Sequence, residues 1–208
     1  MTASLSLQPE LLSRLKQQDQ PAFNLLVKKA HLRLLGFAGS IVGRERAEDV
    51  MQDAWIAIWR GLPGFEGRAS LSTWLYTIVR NECTARLKKE GRLSLVQAPT
   101  DTAGVFSDWL ENRFKDDGHW ADAPGHWDMN TPEAMLEESQ LQDCLKKNLD
   151  RLQESQQAVF RLREIEQLPL DRVCNILALS DSNVRVLLHR ARLRLLQVID
   201  HYQSTGEC

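Results

Sequence analysis

The sequence predicts an all-α protein: two helical domains joined by an acidic flexible linker. Three observations lead there. Apolar residues recur three and four apart through residues 8–90 and again from 132 onward, the helical period, and no run alternates apolar and polar residues long enough for a sheet. Between these stretches periodicity fails, and Gly, Pro and Asp collect. Charge obeys the same division. From Leu93 to Asp143 eleven acids stand against two bases, Arg113 and Lys115, a net charge of −9. The flanking segments "RNECTARLKKEGR" and "RVLLHRARLR" are basic, although the whole 208-residue chain carries only −2.

The elements follow in order. "ELLSRLKQ", "QPAFNLLVKKAHLRLLGFAGSIVG" and "RAEDVMQDAWIAIWRGL" read as three helices; Gly36, Gly39 and Gly43 loosen the second, and Gly43 is a plausible stop. "GLPGFEGRAS", with three glycines and a proline, is a loop. "SLSTWLYTIVRNECTARLKKE" resumes helix, with Ser70 or Ser72 as its cap. A linker of about 40 residues is long by the usual loop lengths, so it is disordered or has a job. After it "TPEAMLEESQLQDCLKKNLDRL" restarts helix, with Thr131 as cap, Pro132 in the first turn, and Glu133 and Glu137 near the positive end of the helix dipole. "SQQAVFRLREIEQ" and "PLDRVCNILAL" precede a last long helix. The domain boundaries expected from this are 8–92, a linker at 93–131, and 132–203.

Bulk properties exclude several classes. Hydrophobic residues make up 43% and charged residues 26%, an ordinary composition with material for real cores. No stretch of about 18 uninterrupted apolar residues spans a membrane. The N-terminal "MTASLSLQPELLSRLKQQ" lacks the layout of a signal peptide, so a cytoplasmic protein is expected. Cys83, Cys144, Cys174 and Cys208 form no C-x-x-C pair; structural zinc is not expected, nor is a disulfide framework in a reducing compartment. Buried thiols, with Cys208 an exposed tail thiol, are the expectation. A metal-dependent hydrolase built on His119 and His126 is disfavoured, because these lie in the irregular linker without the i, i+4 pairing of helical metal sites. No metal and no cofactor is expected. Trp109, Trp120 and Trp127 of the same linker are expected to anchor on a partner.

The second domain carries the layout of a helix-turn-helix in "LPLDRVCNILALSDSNVRVLLHRARLRLL". Its first helix, about Leu170 to Leu177, turns Val173, Ile176 and Leu177 inward. The turn "ALSDS" leads to a second helix capped by Ser180 or Ser182. There Val184, Leu188, Ala191 and Leu195 form one apolar stripe. Arg185, Val186, His189 and Arg190 project outward, with Arg192 and Arg194 extending the charge. Basic helices are commonly just solvated, but in this context such a helix fits the major groove, where arginine pairs two donors with guanine and neighbouring cations bind phosphates.

In the first domain Val50, Ala54, Trp55, Ile58 and Trp59 face a core, while Asp49, Gln52, Asp53 and Ile56 occupy the opposite face. An acid–amide–acid cluster beside an isoleucine suits docking of a basic protein helix, although a solvated face would share the pattern. Leu71, Trp74, Leu75, Ile78 and Val79 form the next core stripe. Arg80, Asn81, Thr84 and Lys88 gather amide, hydroxyl and cations on another face, suited to a nucleic-acid strand.

On the residues "DQPAFNLLVKKAHLRLLGFAGSIVGRERAEDVMQDAWIAIWRGLPGFEGRASLSTWLYTIVRNECTARLKK" the chain resembles the second domain of bacterial RNA polymerase sigma factors of the extracytoplasmic-function (ECF) group. "LDRVCNILALSDSNVRVLLHRARLRL" resembles their fourth domain, and "FKDDGHWADAPGHWDMNTPEAM" the linker of one subset. The resemblance implies a dissociable specificity subunit rather than an enzyme, acting on promoter DNA with the RNA polymerase core and taking no small-molecule substrate. It implies that Asp49, Gln52 and Asp53 dock on the clamp helices of the polymerase's largest subunit. The loop Phe65–Ser70, with Phe65, Gly67, Arg68 and Ser70, would receive a base flipped from the minus-ten element, whose extrusion costs a few kcal/mol. Arg80, Asn81, Thr84 and Lys88 would touch that element or its upstream edge. Ser182, Asn183, Arg185, Val186, His189, Arg190 and Arg192 would read the minus-thirty-five element. The acidic linker would lie in the positively charged RNA channel until the transcript displaces it, and an anti-sigma protein would sequester the factor until a stress signal.

Two departures from the family pattern stand out. Ala178 occupies a position where members usually carry glycine, so the turn is expected to be strained or differently shaped. Val186 and Leu187 replace a polar residue and an arginine, which removes charge from the reading helix and leaves the fold intact; Val186 can still touch a thymine methyl. The rival reading is a conventional helix-turn-helix regulator. It requires a sensor pocket and usually a dimerisation helix, and residues 19–92 make no obvious case for either.

Overall fold

A computed structural model describes residues 9–91 and 132–208, with side chains for 10–91 and 139–208. The expectations on residues 92–131, including the linker, its tryptophans and histidines and the Thr131 cap, fall outside the described residues, as do the side chains of Glu133 and Glu137. The described residues form helices α1 (Pro9–Lys16), α2 (Gln20–Val42), α3 (Arg44–Gly61), α4 (Leu71–Lys89), α5 (Pro132–Asp150), α6 (Glu154–Phe160), α7 (Leu170–Leu177) and α8 (Asp181–Thr205). A 3-10 turn at Leu62–Gly64 follows α3, and a π-helical turn at Arg161–Ile165 continues α6. No strand occurs among the described residues.

Local chemistry explains the boundaries. Asp19 caps α2, its Oδ1 accepting from Ala22 N at 2.9 Å, while Arg14 Nε pairs with its other oxygen at 3.0 Å. Gly36 and Gly39 do not break α2; Phe37, Ala38 and Ile41 around them are buried, and packing outweighs the propensity cost. The helix stops at Gly43, as expected. Ser70 rather than Ser72 caps α4, accepting from Thr73 N at 3.1 Å. Ser180 rather than Ser182 caps α8, accepting from Asn183 N at 3.3 Å.

The described chain sorts into two compact units. One comprises residues 9–91 with 153–188, the other 132–152 with 189–208. These units follow packing rather than the boundaries expected from the linker. In the first, Leu26, Leu34, Phe37, Ile41, Val50, Met51, Ala54, Ile58, Leu75, Tyr76 and Val79 share one core with Val159, Leu162, Val173, Ile176 and Leu177. Full burial of each large apolar side chain contributes about 1.5–3 kcal/mol. Phe37 and Tyr76 meet edge to face, with centroids 5.1 Å apart. The Tyr76 phenol lies beside Glu166, and burial first, then that carboxylate, pushes its pKa far above the ordinary range. Arg33 Nη1 reaches Glu166 Oε2 at 3.7 Å.

In the second unit Leu141, Cys144, Leu149 and Leu152 of the α5 segment are buried, as are Leu193, Leu195 and Leu196 of α8. Tyr202 donates its hydroxyl to Gln140 Oε1 at 3.2 Å. Here one expectation is corrected: Cys208 is not a free tail thiol but is disulfide-bonded to Cys144. Sixty-four positions separate the two, so spacing offered no hint; the pairing needs the chain to fold its end back. Cys83, by contrast, is a buried thiol as expected.

Candidate nucleic-acid interface

Three surfaces hold the side chains singled out above. On α3, Asp49, Gln52 and Asp53 are exposed and Ile56 is 50% exposed, on the side opposite buried Val50, Met51, Ala54 and Ile58. The half-buried Trp55 and Trp59 both meet Phe23 edge to face, at 5.7 and 4.7 Å, which seats the helix on α2. Trp55 Nε1 also donates to His31 Nδ1 at 3.1 Å. Behind the acidic face runs a chain of charges that sequence reasoning missed. Arg46 Nε lies 3.4 Å from Glu90 Oε2, Arg86 Nε pairs with Glu90 Oε1 at 2.7 Å, and Arg86 Nη2 lies 3.9 Å from Asp49 Oδ2. The i, i+4 spacing of Arg86 and Glu90 was the available signal.

The loop after α3 forms the second surface. Glu66, Gly67, Arg68 and Ser70 are exposed, and Arg68 pairs with Glu66. Gly67 holds φ +78 with open space where a Cβ would stand, so conformation rather than crowding calls for glycine. Phe65, at the start of this loop, is 6% exposed, its ring packed against Trp74 at 5.2 Å with the Lys16 ammonium 5.9 Å away. An aromatic ring closing the end of a helical core gains more from burial than from solvent, so Phe65 supports the loop from beneath. On the adjoining face of α4, Asn81 and Lys88 are exposed and Arg80 and Thr84 half-buried. Thr84 Oγ1 donates to Arg80 O at 2.8 Å, and Arg80 Nη2 donates to Leu177 O at 3.3 Å. Asn81 and Lys88 are therefore the most open of the four.

The third surface is the helix-turn-helix. α7 ends at Ala178 in the left-handed conformation, φ 55 and ψ 46, the geometry that glycine ordinarily supplies. Val184 and Leu188 are buried as expected, and so are Ala191 and Leu195. Arg185 and Val186 are exposed, and His189 and Arg190 half-buried. Arg185 Nε bonds Asp181 Oδ1 at 2.6 Å, which raises the guanidinium pKa. Ser182 is exposed and shares a hydrogen bond with Ser180 at 3.1 Å; Asn183 is half-buried. Arg192 is the second correction: at 5% exposed it does not extend the outer charge, because α8 is apolar over more of its circumference than one stripe. Leu187, 1% exposed, shows the same widening, so its departure from the family pattern concerns packing.

Comparison with known proteins identifies both regions. The family model for sigma-70 region 2 matches residues 26–93, and that for sigma-70 region 4 matches residues 142–195. The ECF RNA polymerase sigma-E factor of Haemophilus influenzae is 29% identical over 183 residues, 88% of this chain and 89% of that protein. The sigma-E factor of Escherichia coli (strain K12) is 27% identical over 182 residues, 88% of each chain. The RNA polymerase sigma-H factor of Pseudomonas aeruginosa is 28% identical over 184 residues, 88% and 89%. Among solved structures, the sigma factor RpoE of Bartonella quintana, determined with the anti-sigma factor NepR, shares the fold at a TM-score of 0.53 and 23% identity, covering 86% of this chain and 96% of that one. A match to sigma factors along nearly the whole chain displaces the rival reading of a conventional regulator. With region 2 and region 4 present in order, the chain belongs to the sigma-70 family of RNA polymerase sigma factors, in its extracytoplasmic-function group.

Proposed function

We propose that this chain is an alternative sigma factor that binds the RNA polymerase core in the cytoplasm and directs it to start transcription at a specific class of promoter. The observation that carries this reading is the ordered pair of regions, each presenting an exposed polar face over a buried apolar one. Residues 8–92 serve core binding and the minus-ten element, 93–131 the linker, and 132–203 the minus-thirty-five element. The acidic face of Asp49, Gln52 and Asp53 receives a basic coiled coil of the core, with Ile56 adding an apolar contact. The loop from Phe65 to Ser70 takes an extruded base, and Gly67 allows the backbone to come close. Asn81 and Lys88, joined by Arg80 and Thr84, follow the strand. Arg185, Val186, His189 and Arg190 enter the major groove.

The work on promoter DNA is recognition rather than catalysis, and it calls for no metal or cofactor. An anti-sigma protein, the kind of partner with which the Bartonella relative was crystallised, is the expected regulator. No described helix is long and apolar enough to cross a membrane, which suits a factor that works on the polymerase. The deciding experiment is in vitro transcription with purified core and genomic templates, followed by mapping of the start sites. Defined starts that share upstream elements support the reading. Failure to associate with core, or equal promoter binding without it, overturns it.

A further inference from the structure

The end of the chain is built to meet α5. α8 closes at Thr205, and Gly206 then adopts φ +71, which glycine tolerates and other residues resist. Its N–H donates to Tyr202 O at 2.7 Å, and Glu207 N donates to Thr205 Oγ1 at 3.1 Å. This reversal brings Cys208 to Cys144, which is only 2% exposed in the middle of α5. Asn148, one turn further along α5, is anchored by donating to Cys144 O at 3.0 Å. From there its Nδ2 stands 3.6 Å from both sulfurs. An amide N–H so placed stabilises sulfur carrying negative charge, the form that reacts. The two remaining cysteines are poor competitors. Burial pushes the Cys83 thiol up to about 12, and the Cys174 thiol is raised by burial and by Asp181.

We propose that Cys144 and Cys208 form an oxidant-modification site whose substrate is a hydroperoxide. The exposed Cys208 thiolate attacks the terminal peroxide oxygen, the O–O bond breaks, and the alcohol, or water from hydrogen peroxide, leaves. Cys208 is then a sulfenic acid. The Cys144 thiol attacks that sulfur, the S–S bond forms, and its proton departs with the hydroxide as water. Two thiols lose two electrons in total and the hydroperoxide gains them. A disulfide in a reducing compartment is ordinarily a transient, sensing one. Here it ties the tail of the DNA-reading helix to α5, so the hold on that unit tracks the oxidant.

The test uses the full-length chain, reduced and freed of reductant, then treated with hydrogen peroxide. Thiols counted after denaturation are expected to fall from four to two, with one disulfide peptide joining Cys144 to Cys208. A Cys83→Ser, Cys174→Ser double variant is expected to form the same link, and Cys208→Ser none. The oxidised wild type is expected to melt roughly 5–15 °C above the reduced form, a difference absent in Cys208→Ser. Four persisting thiols, a link through Cys83 or Cys174, or equal melting of both forms overturns the proposal. These readouts need no polymerase, so failure of promoter-directed transcription strikes the sigma-factor reading alone.

Discussion

Ala178 sits in the left-handed region with a side chain that region disfavours. The conformation costs about 1–2 kcal/mol for an L-residue, and glycine escapes that cost while adding roughly 0.5–1 kcal/mol of unfolded-state freedom. Ala178→Gly is therefore expected to stabilise the protein by up to about 1 kcal/mol, raising Tm by roughly 2–4 °C in a scanning melt. Asp181 shows competition of another kind. It favours the start of α8 yet holds the Arg185 guanidinium that the proposed reading gives to DNA. Asp181→Asn is expected to tighten holoenzyme binding to a minus-thirty-five duplex by roughly threefold at low salt, with the gain shrinking as salt rises. Unchanged affinity in a fluorescence titration would separate Arg185 from the DNA. The Cys83 thiol is different again, because its folded pKa is raised to about 12 from 9.0. Its contribution is complete below pH 9, where the thiol is protonated in both states. Above that the unfolded chain loses its proton first, and the contribution falls by about 1.4 kcal/mol per pH unit until the folded value is reached. Denaturant titrations at pH 8, 9, 10 and 11 are expected to show the wild type losing more stability than Cys83→Ala, with Tyr76 adding to the loss in both at the upper end.

At the scale of the element, α8 shows how much a pattern can tell. The stripe Val184, Leu188, Ala191 and Leu195 was legible because i+3 and i+4 spacing is a local property, and all four are buried. Leu187 and Arg192 were not, because a second buried face depends on what else packs against the helix. The caps divide similarly. Ser70 and Ser180 belonged to pairs of candidates that only backbone geometry could separate. On α3 the acidic face and its buried reverse were both readable, whereas Arg86, which approaches Asp49 from α4, was not. That placement yields an expectation for core association. Asp49→Ala with Gln52→Ala is expected to weaken binding to the core by tenfold or more, on the order of 1.4 kcal/mol or above, with the fold preserved. A gel-filtration or fluorescence assay with purified core checks it.

For the whole molecule, the proposed division of labour makes a complementary demand. Arg185→Ala with Arg190→Ala is expected to spare core binding and to abolish transcription that needs the minus-thirty-five element. Parallel core-binding and run-off assays separate the two, and unaltered transcription from both double variants would remove these assignments. Local pattern was enough to specify the all-α class, the order of the helices and the exposed faces of α3 and α8. Those properties follow from residue spacing and from side chains that act on their own neighbourhood. Packing was needed to show that Phe65 and Arg192 are buried, that residues 153–188 share a core with the N-terminal helices, and that Cys144 meets Cys208. The shared core and the cysteine pair depend on contacts between residues far apart in the chain, and such contacts leave no periodic trace in the sequence.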